Sequence, residues 1–236
     1  GSPYATALRD ALIPGQTLLM GANRVEAGPG GAQRYFNTLV AFRREAQALR
    51  VTGVYDKHHL VPFGEYMPAA DLATKVGFRS LVHMPDDFTA GPPSQPIAPW
   101  GVPAVQVLIC YEALFPGVTR AGAALAGHRP AWIVNPSNDA WFGQGSGPLQ
   151  HLNLASYRAI EEGLPIVRAT PTGVSAVIDA YGRVLPGARL GLGDLGVIDA
   201  PLPPALENTG FSRIGNLWCG ILLLLSGLLA LAYRSR

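Results

Sequence analysis

The chain has 236 residues, enough for one large domain or two small ones, of which 48% are hydrophobic and only 14% charged. That charged fraction is well below the roughly 25% of an ordinary soluble domain, and the net charge of +2 comes without a basic run or basic–aromatic interleaving, which excludes a nucleic-acid binder. Cys110 and Cys219 are the two cysteines; with no Cys-x-x-Cys pair, no His-Glu-x-x-His and no Cys/His cluster, a disulfide framework and a structural zinc site are excluded as well.

No signal peptide opens the chain, and Gly1-Ser2-Pro3-Tyr4 reads as a start part-way through a longer protein. Residues 17–22 (TLLMGA) and 35–42 (YFNTLVAF) read as strands, parted by the turn-rich Gly28-Pro29-Gly30-Gly31. A short strand over 53–56 leads into a dense polar segment, and the apolar run 104–109 (AVQVLI) ends at Cys110. Helical character over 117–126 is followed by a strand over 131–135 (AWIVN). The helix predicted over 149–162 is ended by Gly163 and Pro165. Strands over 166–170 and 174–178 come next, then a hairpin turn at residues 180–183 into Val184-Leu185, and a last strand over 195–200. Pro201, Pro203 and Pro204 form a stiff linker toward the end of the chain.

Residues 214–233 (IGNLWCGILLLLSGLLALAY) carry no charge. As a helix at about 1.5 Å per residue this run spans about 30 Å, the thickness of a bilayer core. Trp218 and Tyr233 stand near its ends, where amphipathic rings prefer the headgroup region, and Arg213, Arg234 and Arg236 flank it. The two arginines that follow the run favour a cytoplasmic C-terminus and an extracytoplasmic body. Alternating strands and helices upstream suggest helices covering sheets, an α/β architecture. The chain thus divides into an α/β unit over 1–208 and a transmembrane helix with a short basic tail over 209–236.

Three segments carry chemistry: residues 55–68 (YDKHHLVPFGEYMP), 107–112 (VLICYE) and 135–143 (NPSNDAWFG). A cysteine at the end of a buried strand sits where α/β sheets present functional groups. Its reactive form is the thiolate, which needs a nearby base or cation, and Glu112 and Lys57 are chemically suitable partners. Taken alone, a strand cysteine such as Cys110 is more often a small core residue. His58 and His59 do not make a metal site, because neighbours on a strand point to opposite faces.

Together the three segments resemble the nitrilase, or carbon–nitrogen hydrolase, superfamily, and within it the apolipoprotein N-acyltransferase family. Arg158-Ala-Ile-Glu161, Arg168-Ala-Thr170 and Gly173-Val174 fall in the same order as in that family. The resemblance implies a nitrilase-like αββα sandwich followed by a single C-terminal transmembrane helix, with no cofactor and no metal. It implies Cys110 as nucleophile, with Lys57 and the backbone N–H of Tyr111 holding the oxyanion. Glu65 supports the lysine, Glu112 shapes the pocket, and Asn138, Asp139 and Trp141 line or brace it, while Glu161 makes a structural bond on its helix. The third member of the family's triad, a general-base glutamate in a Trp-Pro-Glu segment, has no match here. It is expected upstream of Gly1, which leaves this polypeptide inactive by itself.

The implied reaction takes an acyl chain from a phospholipid donor, phosphatidylethanolamine, to the α-amino group of a diacylglyceryl-cysteine apolipoprotein acceptor. The implied location is the bacterial inner membrane with the catalytic unit on its periplasmic face. Leu60, Val61, Phe63, Phe78, Leu81 and Met84 are candidates for a lipid-facing entrance. Two other readings stand beside this one: an amidase hydrolysing a small amide, which the apolar tail opposes, and a membrane-tethered binding module without catalysis.

Overall fold

A computed structural model describes residues 3–68 and 87–234. The sheet-forming part opens after helix α1 (Pro3–Ala11) with an antiparallel meander, β1 (Thr17–Ala27), β2 (Gln33–Arg44) and β3 (Leu49–Asp56), ordered β1-β2-β3. All three sequence-predicted strands are longer than the segments that revealed them. The added residues, such as Asn23 to Ala27 against Asn37 to Gln33, are paired through backbone bonds and need no apolar side chains.

The second sheet has five strands in sequence order: β4 (Val105–Val107), β5 (Trp132–Pro136), β6 (Ile166–Ala169), β7 (Ser175–Ile178) and β8 (Val184–Leu190). β4, β5 and β6 run parallel, while β7 and β8 are antiparallel hairpin strands. Helix α2 (Val118–Ala126) connects β4 to β5, and α3 (Gly147–Glu162) connects β5 to β6. Parallel strands need such crossovers, and strands covered on both faces read as continuous apolar runs. Val105, Gln106 and Val107 are all buried, as are Trp132, Ile133, Val134 and Asn135.

Two apolar clusters define the layers. Leu39 and Tyr55 of the first sheet pack with Val105, Val107, Trp132 and Val134 of the second, so the sheets lie face to face. On the other side, Leu108, Ile133, Ile166 and Ile178 pack with Ala159, Leu164, Val118 and Leu152, which puts α2 and α3 on the outer face of the second sheet. Helix α1 buries no residue and is tied to the first sheet by Arg44 Nε donating to Arg9 O at 3.0 Å.

Two predicted elements differ. Residues 195–200 form no strand; β8 ends at Leu190, Gly191 N–H bonds Asp194 Oδ2 at 2.7 Å in a turn, and the described residues offer 195–200 no ladder partner. Leu195 and Val197 are therefore 96% and 91% exposed. The apolar C-terminal run is also broken. A short α4 (Gly210–Ile214), capped by Thr209 Oγ1 accepting from Ser212 N–H, stops at Gly215, and α5 (Leu217–Arg234) starts afresh. Gly215 has φ +56°, a left-handed conformation that favours glycine. The remaining 18-residue helix is about 27 Å long. It buries none of its residues, and its length and apolarity suffice to cross a membrane.

The α3 end near this junction holds an unusual carboxyl. Glu162 is 3% exposed, its Oε1 has no partner, and Glu161 sits beside it. Arg158 Nη2 bonds Glu161 Oε1 at 2.8 Å, and Arg129 Nη2 bonds the Glu162 backbone carbonyl. Burial first, then the Glu161 charge, pushes the Glu162 carboxyl from 4.5 up to about 7. Between those values the folded protein binds more protons than the unfolded chain, so stability falls as pH rises through this window and is flat above it. Glu162→Gln is expected to flatten that slope and raise the melting temperature at pH 8 while changing it little at pH 4. Thermal unfolding of both proteins across this range checks the sign.

Candidate active site

The carboxyl ends of β3, β4, β5 and β6 converge on one cavity of about 1250 Å³, larger than the roughly 300–1,000 Å³ of a common small-molecule site. Its walls are mostly apolar, with Leu19, Met20, Val61, Phe88 and Leu114 among them, and its polar groups include Asn37, Lys57, Glu65, Cys110 and His151. Each strand delivers one part. Lys57 follows β3 directly, Cys110 comes three residues after β4, and Ser137, Asn138 and Asp139 follow β5.

Lys57 is 1% exposed, and its Nζ lies 2.7 Å from Glu65 Oε2. The same carboxylate oxygen accepts from Val61 N–H at 2.8 Å, and Oε1 accepts from Asn37 Nδ2 at 2.7 Å. Asn37 also holds the Lys57 backbone, its carbonyl accepting the Lys57 N–H at 2.8 Å. The ammonium is thus buried, paired and fixed in direction.

Cys110 has φ +49°, in the left-handed region that side chains other than glycine rarely occupy. It begins a tight 3₁₀ turn, Cys110–Leu114, where the extended chain leaving β4 reverses. Glu112 enforces that reversal. It is fully buried; Oε2 accepts from Ile109 N–H at 2.8 Å, and Oε1 accepts from Tyr55 Oη at 2.8 Å, His58 N–H at 3.0 Å and His59 N–H at 3.1 Å. Burial pushes its carboxyl above the ordinary range despite these donors.

Behind the cysteine lies a second polar network. His151 on α3 bonds Cys110 O through Nε2 at 3.2 Å and Asp139 Oδ1 through Nδ1 at 2.9 Å. Asp139 Oδ2 accepts from Arg168 Nη2 at 2.6 Å, and Oδ1 also accepts from Ser137 Oγ at 2.8 Å. Arg168 further donates to Asn135 Oδ1 and, at 3.2 Å, to Val174 O. Burial alone would raise the Asp139 carboxyl; the His151 hydrogen bond and the Arg168 charge outweigh it and hold the group down at about 2. The Gly173 site explains part of the Arg168–Val174 motif. A Cβ there would come within 2.0 Å of Asp139 Oδ2.

Cys110, Lys57, Glu65, Tyr111, Asn138 and Trp141 all line the cavity. Glu112 does not; it makes no bond to Lys57 and braces the two strand exits instead. Trp141 is 77% exposed at the rim, beside Phe142, and is no core residue. Of the entrance candidates, Val61 lines the cavity, Leu60 and Phe63 stand outside its lining, and Phe78, Leu81 and Met84 lie outside the described residues. His58 and His59 do not point to opposite faces, because β3 has ended at Asp56: their rings meet edge-on at 4.8 Å, and His59 stacks on Phe115. Sequence reasoning missed Asn37 and His151. A signal for His151 existed, since it falls on the buried α3 stripe of Pro148, His151, Ala155, Arg158, Ala159 and Glu162.

The carbon–nitrogen hydrolase family model matches residues 9–209. The chain belongs to that family. An apolipoprotein N-acyltransferase of Caulobacter vibrioides is 50% identical over 99% of the chain and 43% of its own length. The protein of that name from Bradyrhizobium diazoefficiens is 43% identical over 96% of the chain and 41% of its own length. The chain thus spans about two-fifths of these curated relatives. Among solved structures, the Caenorhabditis elegans NitFhit protein matches with a TM-score of 0.55 and 20% identity, over 80% of the chain and 43% of that protein. A mutant amidase from Nesterenkonia sp. AN1, with an acetamide moiety added covalently at its active-site cysteine, matches at 0.51 and 24% identity, over 81% of the chain and 62% of its own. These likenesses establish the carbon–nitrogen hydrolase fold of the chain.

The Lys57–Glu65 pair gives a direct test of the site's electrostatics. Removing one member of a buried pair strands the other charge, at a cost of about 3–5 kcal/mol, whereas replacing both by apolar groups is often close to neutral. Glu65→Ala is expected to lower stability by that amount. The double variant Lys57→Met, Glu65→Leu is expected to recover only part of it, because Val61 N–H and Asn37 Nδ2 also lose their acceptor, as read from denaturant midpoints.

Proposed function

We propose that the chain is the catalytic part of a membrane-anchored N-acyltransferase that acylates apolipoproteins through a Cys110 thioester. The observation that carries this reading is the placement of a positive-φ cysteine and a buried, carboxylate-paired lysine on one apolar cavity. The names of the relatives, the family match and the exposed apolar helix support it. In this reading residues 1–208 form the catalytic unit and 209–236 the anchor, with the cavity at the periplasmic face of the inner membrane. No cofactor takes part.

A general base removes the Cys110 thiol proton, and the thiolate attacks the ester carbonyl of a phospholipid, phosphatidylethanolamine. Lys57 Nζ and the Tyr111 N–H stabilise the oxyanion that forms. Collapse breaks the ester C–O bond; the protonated base returns its proton to the departing glycerol oxygen, and a lysophospholipid leaves. The α-amino group of a diacylglyceryl-cysteine then attacks the thioester and gives its proton to the base. A second collapse forms the amide, expels the Cys110 thiolate and returns that proton to it.

Among the described residues, the carboxylates on and behind the cavity wall are already engaged. Glu65 is bound to Lys57, Glu112 accepts four bonds, Asp139 holds His151 and Arg168, and Asp194 accepts from Gly191. The apolar walls suit an acyl chain. The exposed side chains of Trp141, Phe142 and Leu195 at the rim suit a lipid surface rather than water.

Incubating the full-length protein with phosphatidylethanolamine micelles is expected to add one acyl chain to its intact mass. Hydroxylamine removes it, and Cys110→Ala abolishes it. No adduct together with hydrolysis of a small amide replaces acyl transfer by amidase chemistry; neither event leaves a non-catalytic binding role.

A further inference from the structure

We infer that His151 is a positioning residue that aims the Tyr111 N–H at the reacting carbonyl oxygen by holding the other side of the same peptide group. The inference rests on the acyl-transfer reading and assigns a residue to it that stands on a different element from the nucleophile.

Cys110 O and Tyr111 N–H belong to one planar trans peptide, so they leave it in opposite directions. Wherever the carbonyl is pinned, the N–H direction is fixed with it. His151 Nε2 pins that carbonyl at 3.2 Å. Among the described residues no acceptor takes the Tyr111 N–H, while Tyr111 lines the cavity. An unengaged N–H at the start of a tight turn is the kind of donor that binds developing negative charge.

The ring is itself held from behind. Each of its nitrogens faces an oxygen that can only accept: the Cys110 carbonyl on one side and the Asp139 carboxylate, 2.9 Å from Nδ1, on the other. Arg168 Nη2, 3.3 Å from Nδ1, makes its shorter contact with Asp139 Oδ2 at 2.6 Å. Ser137 Oγ donates to the same carboxylate, and the Phe142 ring closes over the imidazole at 5.4 Å between centroids. His151 is 2% exposed and Asp139 and Arg168 no more so, which leaves the ring little freedom to turn. The left-handed backbone of Cys110 adds a reason for such a clamp, since a strained peptide relaxes unless its surroundings over-determine it.

Asparagine and glutamine separate the two ends of the ring. Asn at position 151 places its amide nitrogen near Nδ1 and keeps the Asp139 contact alone; Gln reaches the Nε2 position and keeps the Cys110 contact. Three quantities are measured on the full-length protein: acyl-enzyme formation from phosphatidylethanolamine, its dependence on lipid concentration, and alkylation of Cys110 by iodoacetamide, which develops no oxyanion. For His151→Asn the acylation kcat is expected to fall about 10²-fold, the size of losing one oxyanion donor, with KM and alkylation rate within two-fold. His151→Gln is expected to restore acylation to within ten-fold of wild type. An Asn variant that acylates within two-fold of wild type overturns the inference, as does alkylation falling in step with acylation. Loss of folded protein in both variants also overturns it, making His151 purely structural. A wild type that forms no acyl-enzyme removes the acyl-transfer reading itself, whereas an acylating wild type beside an unaffected Asn variant removes only the role of His151.

Discussion

The Glu112 carboxylate is the tie on which the cavity depends. Lys57 and Cys110 are 53 positions apart in sequence and arise from different sheets. Glu112 grips the chain at both exits, taking Ile109 N–H beside the cysteine, and the Tyr55 hydroxyl and the His58 and His59 N–H groups beside the lysine. A buried carboxylate without donors would cost several kcal/mol, and its four hydrogen bonds offset that cost. Because the donors come from both strands, the carboxylate is satisfied only when the exits are side by side. Packing of Leu39 and Tyr55 against Val105 and Val107 brings the sheets together without direction; Glu112 supplies the direction.

Three buried carboxylates around the cavity have different partners and therefore different uses. Glu65 faces an ammonium and fixes a charge at the cavity wall. Asp139 faces a guanidinium and an imidazole and is held down at about 2, an anion behind Cys110. Glu112 faces only neutral donors, and burial pushes it up. The Glu65 charge pair orients a side chain at the cavity wall, while Asp139 through His151 and Glu112 directly hold backbone.

Much of the site was legible because its residues cluster in three short segments. Lys57 and Glu65 are eight residues apart and meet directly, and Cys110 stands at the foot of an apolar run. What the sequence concealed was long-range: Asn37 is a polar residue inside an ordinary strand, and His151 sits on a helix whose buried stripe also carries Arg158 and Glu162. Their roles depend on which groups tertiary packing places opposite them. The same reason separates the apolar run over 195–200 from a real strand, since apolar composition cannot supply a ladder partner. The helix break at Gly215 is a backbone feature, a positive φ that an apolar composition does not reveal. The facing of His58 and His59 failed for a local reason: strand alternation ends where the ladder ends, at Asp56.

The acyl-transfer reading also gives the unusual surface a physical use. Trp141, Phe142 and Leu195 leave large apolar areas in water at the rim, and the C-terminal helix leaves all of its own exposed. Each such area is unfavourable by about 25 cal/mol per Å² as long as water covers it. A bilayer removes both terms at once, provided the rim and the helix reach the same plane. Pro201, Pro203 and Pro204 restrict the connection between them, and Arg129 donates to Leu206 O at 2.7 Å, holding its far end against the catalytic unit. On the acyl-transfer reading, a stiff, stapled connection would keep the cavity mouth close to the membrane surface. On that reading, lipid substrates confined to that surface would meet Cys110 at a high effective concentration, with no affinity required of the cavity for their headgroups.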